Sequence, residues 1–296
     1  MGLVSVIIPL YNHAAFIEAC IASVAMQSYG EIELIIVDDH SPDDSLDRAH
    51  AAVDAHGKRF VRTHLVRNER NRGAAFSLNR GIALARGETL AFLNSDDLFV
   101  PERLEVMLAA MKNQKRSWAF SQIAPIGPDG SAFWSVSAAH RFAIEPTQLH
   151  GAFPAPSWAL LQFQTSISTG NIVVRKQLAL DVGGFLPLSY CHDWAFVLAC
   201  AWHDEYAFID APLYKYRFHG NNSFSGLEHV ASNNIAFVLR AHGVRAANAP
   251  SPNPTYPSSR FGSTLYKSIA ETIELDNLMD HIYRPYQPFH RTVERS

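Results

Sequence analysis

Two adjacent carboxylates at the end of an apolar run mark where this chain can do chemistry. Thr89, Ala91, Phe92 and Leu93 lead directly into Asn94–Ser95–Asp96–Asp97. Carboxylates are costly to bury unpaired. They become favourable when a hard cation such as Mg²⁺ or Mn²⁺ sits between them and the phosphates of a substrate. An ordinary polar turn after a strand uses the same residue types, so the rest of the chain has to separate the two readings. A second acid pair, Asp38–Asp39, closes the β-branched run Ile32–Val37, and Tyr11–Asn12 follows the apolar run Val4–Pro9.

The elements that carry these groups give them a common location. Over the first hundred residues strand-like runs alternate with helical periodicity. Strands are expected at Val4–Pro9, Ile32–Val37, Phe60–Val66 and Thr89–Leu93. Helices are expected around Phe16–Val24, over Asp43–His56, and over Gly73–Arg86 with Gly87 as its stop. Pro101 fits the first turn of a further helix running to about Lys112. Apolar strands alternating with helices imply a parallel α/β sheet, and such sheets bind ligands beyond the carboxyl ends of their strands. Tyr11–Asn12, Asp38–Asp39 and Asn94–Asp97 all follow strand ends, so they are expected to line one rim.

The second half is less regular. Strands are expected at Trp118–Ser121, Ile172–Val174, Tyr206–Ile209 and Leu213–Phe218, and helices near Lys176–Asp181 and over Asp193–Trp202. Ala124–Thr165 reads as a loop-rich, aromatic stretch punctuated by proline. Beyond residue 228 a helical stretch, a Pro/Ser/Asn-rich linker at Asn248–Ser259 and a helix from about Thr264 to Tyr283 form an appendage.

Bulk properties narrow the class. With 296 residues, 48% hydrophobic and 18% charged, the chain is of ordinary globular composition. A formal charge of −3 provides no field for nucleic acid. Cys20, Cys191 and Cys200 are odd in number and lack CxxC spacing, which points to a reducing compartment. No apolar stretch approaches the roughly 18 residues that span a bilayer, and no signal peptide is visible. The expectation is a cytoplasmic protein, with peripheral contact at the inner face of the membrane left open.

The ordered motifs resemble family-2 inverting glycosyltransferases of GT-A fold. Ser5–Asn12 looks like their opening strand and Ile35–Ser41 like their second. Asn71–Arg72–Gly73, Asn79–Arg80–Gly81–Ile82 and Gly87 match the helix before the metal motif. Asn94–Ser95–Asp96 stands where the family has Asp-x-Asp, followed by Asp97. Gly183–Gly184–Phe185 and His192–Asp193–Trp194 are similar to the segment that carries the base. The resemblance covers residues 3–222. It implies a catalytic domain over 1–227, with a nucleotide-binding half (1–100) and an acceptor half (101–227), and leaves 228–296 as a helical extension. Two positions depart from the pattern. Asn94 replaces the first acid of the triplet, and His192 stands where a Glu is frequent.

The resemblance also implies roles. Asp39 recognises the base. A carboxylate only accepts hydrogen bonds, which suits the ring N–H of uracil, thymine or guanine and disfavours cytosine. Pro9, Tyr11 and Asn12 floor the nucleotide pocket, although Asn12 also suits a helix cap. Asn71, Arg72, Asn94 and Ser95 flank the base and ribose. Asp96 is the principal ligand of Mn²⁺ or Mg²⁺, His219 a second, and Asp97, His192 and Trp194 neighbour the sugar and diphosphate. Asp193 is the general base that activates an acceptor hydroxyl; as a bare residue it better suits the cap of its helix.

The implied activity is metal-dependent, inverting transfer of a single sugar from a nucleotide-diphospho-sugar, uridine-linked first, in polysaccharide or glycoconjugate synthesis. The acceptor is a saccharide, a lipid-linked saccharide or a protein. One rival is a sugar nucleotidyltransferase, which needs a glycine-rich basic loop after the first strand; Pro9–Leu10–Tyr11–Asn12–His13 has neither feature. Another is an inactive sugar-nucleotide-binding protein, against which Asp39, Asp96 and Asp193 stand together. A processive membrane synthase would carry transmembrane helices and Gln-x-x-Arg-Trp. The extension, ending in Tyr283–Arg284–Pro285–Tyr286, is open to packing, to homo-oligomer formation and to membrane contact, packing being the default.

Overall fold

A computed structural model describes residues 2–132, 155–162, 164–219 and 228–256. The helix expected from Thr264, Gly220–Asn222, Tyr283–Tyr286 and much of the loop-rich stretch fall outside these residues. The chain divides into two compact units. The first is built from Met1–Ala124, Ser166–Pro187 and Tyr206–Arg217. The second takes the described parts of Pro125–Thr165, Leu188–Glu205 and the chain from Phe218 onward.

In chain order the regular elements are β1 (Val4–Leu10), α1 (Ile17–Ala25), β2 (Ile32–Asp38), α2 (Ser45–His56), β3 (Arg62–Arg67), α3 (Ala74–Leu84), β4 (Thr89–Phe92) and β5 (Leu98–Phe99). They continue with α4 (Arg103–Asn113), β6 (Trp118–Ile126), α5 (Pro156–Gln162), β7 (Val173–Arg175), α6 (Lys176–Asp181), α7 (His192–His203), β8 (Ala207–Arg217) and α8 (Glu228–Asn248). Among the described residues one sheet holds eight strands in the order β3-β2-β1-β4-β7-β6-β8-β5.

The alternation of strand and helix gives parallel pairing among β3, β2, β1 and β4. Beyond β4 the pairs β4–β7, β6–β7 and β5–β8 are antiparallel. β1, β2 and β4 are buried almost throughout, as strands covered on both faces must be. The sheet is therefore mixed, and the parallel half is the one that carries the acid pairs.

Two expectations change. The two strands expected at Tyr206–Ile209 and Leu213–Phe218 merge into one eleven-residue strand, β8, whose partly exposed middle Asp210–Pro212 broke the apolar pattern. α3 ends at Leu84, before Gly87. A Cβ on Gly87 would sit 2.6 Å from the Leu3 carbonyl oxygen and 2.7 Å from the Ser5 nitrogen. Close approach to β1, not a helix stop, explains this glycine.

At the amino-terminal edge of the parallel strands the carboxylate of Glu33, on β2, is fully buried. It accepts bonds from Ser5 Oγ at 2.5 Å, the Arg86 N–H at 2.8 Å and Arg62 Nη1 at 2.5 Å. Burial pushes its pKa up, but the Arg86 N–H, Ser5 and Arg62 outweigh this, and the net shift is downward from 4.5. All three cysteines are free and buried.

A lowered folded-state pKa means that stability from Glu33 is present above its ordinary value and drains away as pH falls below about 4.5. Glu33→Gln is expected to lose ~1–3 kcal/mol in urea unfolding at pH 7. Its deficit against wild type should shrink as the pH is lowered through 4.5. A deficit independent of pH would show that the charge of Glu33 is not what stabilises the edge.

Candidate functional site

The acid pair after β2 splits into two different roles. Asp38 is buried, paired with Arg67 Nε at 3.1 Å and bonded to the Ser41 N–H at 3.3 Å, as a turn residue would be. Asp39, 3% exposed, accepts from Asn68 Nδ2 at 2.6 Å, from the Arg72 N–H at 2.9 and 3.0 Å to its two oxygens, and from the Gly73 N–H at 2.7 Å. Three donors, one of them shared, meet about four lone-pair directions. Asp39 thus gathers the 68–73 loop; with the Arg72 N–H settled on one oxygen, one lone-pair direction is released for a further N–H. Arg72 stacks its guanidinium on Phe76, 3.5 Å from the ring centroid, and Asn71 Oδ1 accepts from the Gly73 N–H at 3.2 Å.

Across β1 from β2 stands β4, so Pro9, within β1, and Tyr11, just beyond it, lie between the two acidic turns. Tyr11 is 43% exposed. Asn12 has φ of +54°, and its N–H donates to Ser41 Oγ at 3.0 Å. It does not cap α1, whose first residue follows Phe16 without a side-chain cap.

The turn after β4 also divides its acids. Asp97, 1% exposed, accepts from Tyr214 Oη at 2.5 Å, the Arg217 N–H at 2.7 Å and Asn94 Nδ2 at 3.2 Å. Burial, then the charge of Asp96, pushes its pKa up; these donors oppose that. Burial and the Asp97 charge likewise raise Tyr214. Asn94 donates also to Ser168 Oγ at 3.1 Å. The carboxylate expected near the sugar is therefore turned into the protein, fixing the turn to β8. Arg217 fastens it again, from Nε to the Asp96 carbonyl at 2.6 Å.

Asp96 approaches a residue that sequence reasoning passed over. His13 Nε2 lies 3.8 Å from Asp96 Oδ2, and His13 Nδ1 lies 2.7 Å from Ser95 Oγ. The strand-end position of His13, one residue beyond Tyr11–Asn12, was the available signal. A carboxylate oxygen and an imidazole nitrogen form a donor set that fits Mn²⁺, and Mg²⁺ less well because it prefers oxygen, with phosphate and water completing an octahedron.

Gly183–Gly184–Phe185 ends α6 in a Schellman turn. The Gly183 N–H bonds Leu180 O at 3.0 Å and the Gly184 N–H bonds Ala179 O at 2.9 Å, at φ of +83° and +72°. A Cβ on Gly184 would fall 2.4 Å from Asn79 Oδ1. Asn79 clasps Phe185 through both its N–H and its carbonyl, each at 2.8 Å.

The second unit holds His192, Asp193, Trp194 and His219. Asp193 lies in the first turn of α7 but does not cap it; Cys191, at φ of +62°, has that place. The Asp193 carboxylate accepts from the Trp194 N–H at 2.9 Å and Gln164 Nε2 at 2.5 Å. Trp194 is buried, its indole N–H donating to Leu160 O at 2.7 Å, so it packs in the core of this unit. His219 follows β8 two residues beyond Arg217.

The family model for glycosyl transferase family 2 matches residues 5–175, more than half of the chain. This chain belongs to glycosyl transferase family 2. The family-2 chain is 35% identical over 118 residues to an Escherichia coli protein, UDP-Glc:alpha-D-GlcNAc-diphosphoundecaprenol beta-1,3-glucosyltransferase WfgD, covering 40% of this chain and 44% of that one. It spans about half the length of the first curated relatives it matches. Staphylococcus aureus TarS, solved with UDP-GlcNAc, shares its fold at a TM-score of 0.66 and 18% identity, over 99% of this chain and 76% of that one. The Pyrobaculum calidifontis mannosyltransferase PcManGT, solved with GDP-Man and Mn²⁺, does so at 0.62 and 16%, over 99% and 76%. The family-2 fold is of the GT-A type, and no helix among the described residues is long and apolar enough to cross a membrane.

Because Tyr214 donates to a buried carboxylate, Tyr214→Phe is expected to destabilise the family-2 chain by ~1–3 kcal/mol at pH 7. Urea titrations read this out, and an unchanged midpoint would mean that the turn is held by its other bonds.

Proposed function

We propose that the chain transfers one sugar from a nucleotide-diphospho-sugar to an acceptor hydroxyl, with inversion, in glycoconjugate synthesis. One observation carries this reading. Asp39 and the Asp96 turn follow β2 and β4, the two strands that flank β1, at the carboxyl ends where parallel sheets receive ligands. The nucleotide lies across the β1 end, with Tyr11 offering its ring to the base. Asp39 takes the base N–H with its released acceptor position, and Arg72, Asn71, Asn12 and Asn94 border the ribose. A uridine-linked donor is the first choice, in keeping with the UDP-sugar bound by TarS and used by WfgD. The GDP-Man of PcManGT keeps guanosine in the screen.

Asp96, with His219 on the acceptor side, would hold a divalent cation, as Mn²⁺ accompanies the donor in PcManGT. Such a cation, when bound, neutralises charge gathering on the departing diphosphate. Asp97 and its partners keep the Asp96 turn in one place. Asp193 takes the acceptor proton as the hydroxyl oxygen attacks C1 from the face opposite the nucleotide. The carbon–oxygen bond to the diphosphate breaks as the new glycosidic bond forms, so no covalent enzyme intermediate is needed. Gln164 orients the Asp193 carboxylate, and His192 neighbours the sugar and diphosphate. The WfgD acceptor, a diphosphoundecaprenol-linked sugar, makes a lipid-linked saccharide the first acceptor to try.

Asp193→Asn should lower turnover by ~10²–10⁴, the usual cost of losing a general base, while leaving donor affinity intact. Normal turnover by this variant would remove Asp193 from the mechanism. Asp96→Ala should abolish the Mn²⁺-dependent part of nucleotide binding, measured by calorimetry with and without the metal. Binding equally dependent on Mn²⁺ would move the cation elsewhere.

A further inference from the structure

We infer that His13 supplies its Nε2 nitrogen to the same divalent cation as Asp96, as a neutral ligand from the β1 rim. The inference rests on the proposed metal-dependent transfer and adds to it a residue and a metal preference. Bonds from a divalent cation to oxygen or nitrogen run ~2.1–2.3 Å. Two atoms of one octahedron then lie between about 3 Å apart, at right angles, and about 4.3 Å apart, when opposite. The 3.8 Å between His13 Nε2 and Asp96 Oδ2 lies between these two values, so the two atoms must close by roughly half an ångström to occupy adjacent positions on one cation.

The ring is also held as a metal ligand is held. Its other nitrogen, Nδ1, meets Ser95 Oγ at 2.7 Å, a bond that aims the opposite nitrogen and that the Nδ1–H tautomer makes by donating to the hydroxyl oxygen. With Nδ1 donating to the Ser95 oxygen, the Nε2 lone pair faces Asp96. The His13 N–H is pinned to Ser45 Oγ at 2.8 Å, and the ring meets Phe16 edge-on with centroids 5.9 Å apart. Backbone, ring nitrogen and ring edge are thus restrained from α2, the 94–97 turn and the approach to α1.

The turn itself shows why a ligand from outside it matters. Asn94 is neutral, with its amide nitrogen committed to Asp97 and Ser168, and the Asp97 carboxylate is bonded to Tyr214 and Arg217. Asp96 is the turn's remaining acid. An imidazole beside it adds a donor without adding negative charge next to a diphosphate. It also changes selectivity, because imidazole nitrogen suits Mn²⁺ and later first-row ions better than Mg²⁺, which prefers oxygen.

The test uses the full chain with uridine diphosphate and Mn²⁺, with guanosine and thymidine diphosphates in parallel. Pulsed electron paramagnetic resonance of the Mn²⁺ complex, with histidine labelled in its ring nitrogens, should show a directly bound imidazole nitrogen. His13→Gln should remove the His13 coupling, weaken Mn²⁺ binding at least tenfold and narrow the preference for Mn²⁺ over Mg²⁺. A wild-type spectrum without imidazole coupling overturns the inference and needs no variant to fold. Coupling that persists unchanged in a folded His13→Gln assigns the nitrogen to another histidine and also overturns it. In both cases the proposed function survives, since Mn²⁺ still binds. Absence of Mn²⁺ binding with all three nucleotides would overturn the inference together with the metal dependence of the transfer.

Discussion

The rest of the site depends on one buried carboxylate that does not face the substrate. Asp97 sits inside the protein, where an unsolvated charge is costly, and Tyr214, the Arg217 N–H and Asn94 answer that cost with three hydrogen bonds. Because two of those donors belong to β8, the turn after β4 is tied to a strand more than a hundred residues away in sequence. Asp96 inherits its position from this tie. A pair of adjacent acids thus divides its labour: one is buried to hold the turn, the other stands beside His13.

Asp39 repeats this logic at the neighbouring strand. Its bonds to Asn68, Arg72 and Gly73 assemble the loop that precedes α3, and the same carboxylate is the candidate reader of the base. A group that organises its surroundings and also meets a ligand is pre-oriented, which lowers the ordering cost of binding. Asn79 and the Gly183–Gly184 turn fix the chain shortly before it leaves the first unit.

Much of this was legible in the residues. β1, β2 and β4 are runs of apolar and β-branched side chains, and strands buried on both faces need just that composition. The acid pairs announced themselves by following those runs. Antiparallel pairing of β7, β6, β8 and β5 was hidden, because β5 and β7 are only two and three residues long and Asp210–Pro212 interrupts β8. The division of labour between Asp96 and Asp97 was hidden too, since it is decided by Tyr214 and Arg217 at the far end of the chain. His13 escaped because a single histidine after a strand has no distinctive pattern; only its distances to Ser95 and Asp96 single it out.

The three thiols have a practical consequence. Cys20, Cys191 and Cys200 are all buried, and burial raises the pKa of each, with the acids beside Cys20 and Cys191 adding to the effect. Thiolate is the form that reacts with electrophiles, so maleimide reagents should pass the folded chain by. A cysteine introduced at exposed Glu18 would then be the single labelling point, giving a fluorescent handle without first stripping the native sulfur atoms from the protein.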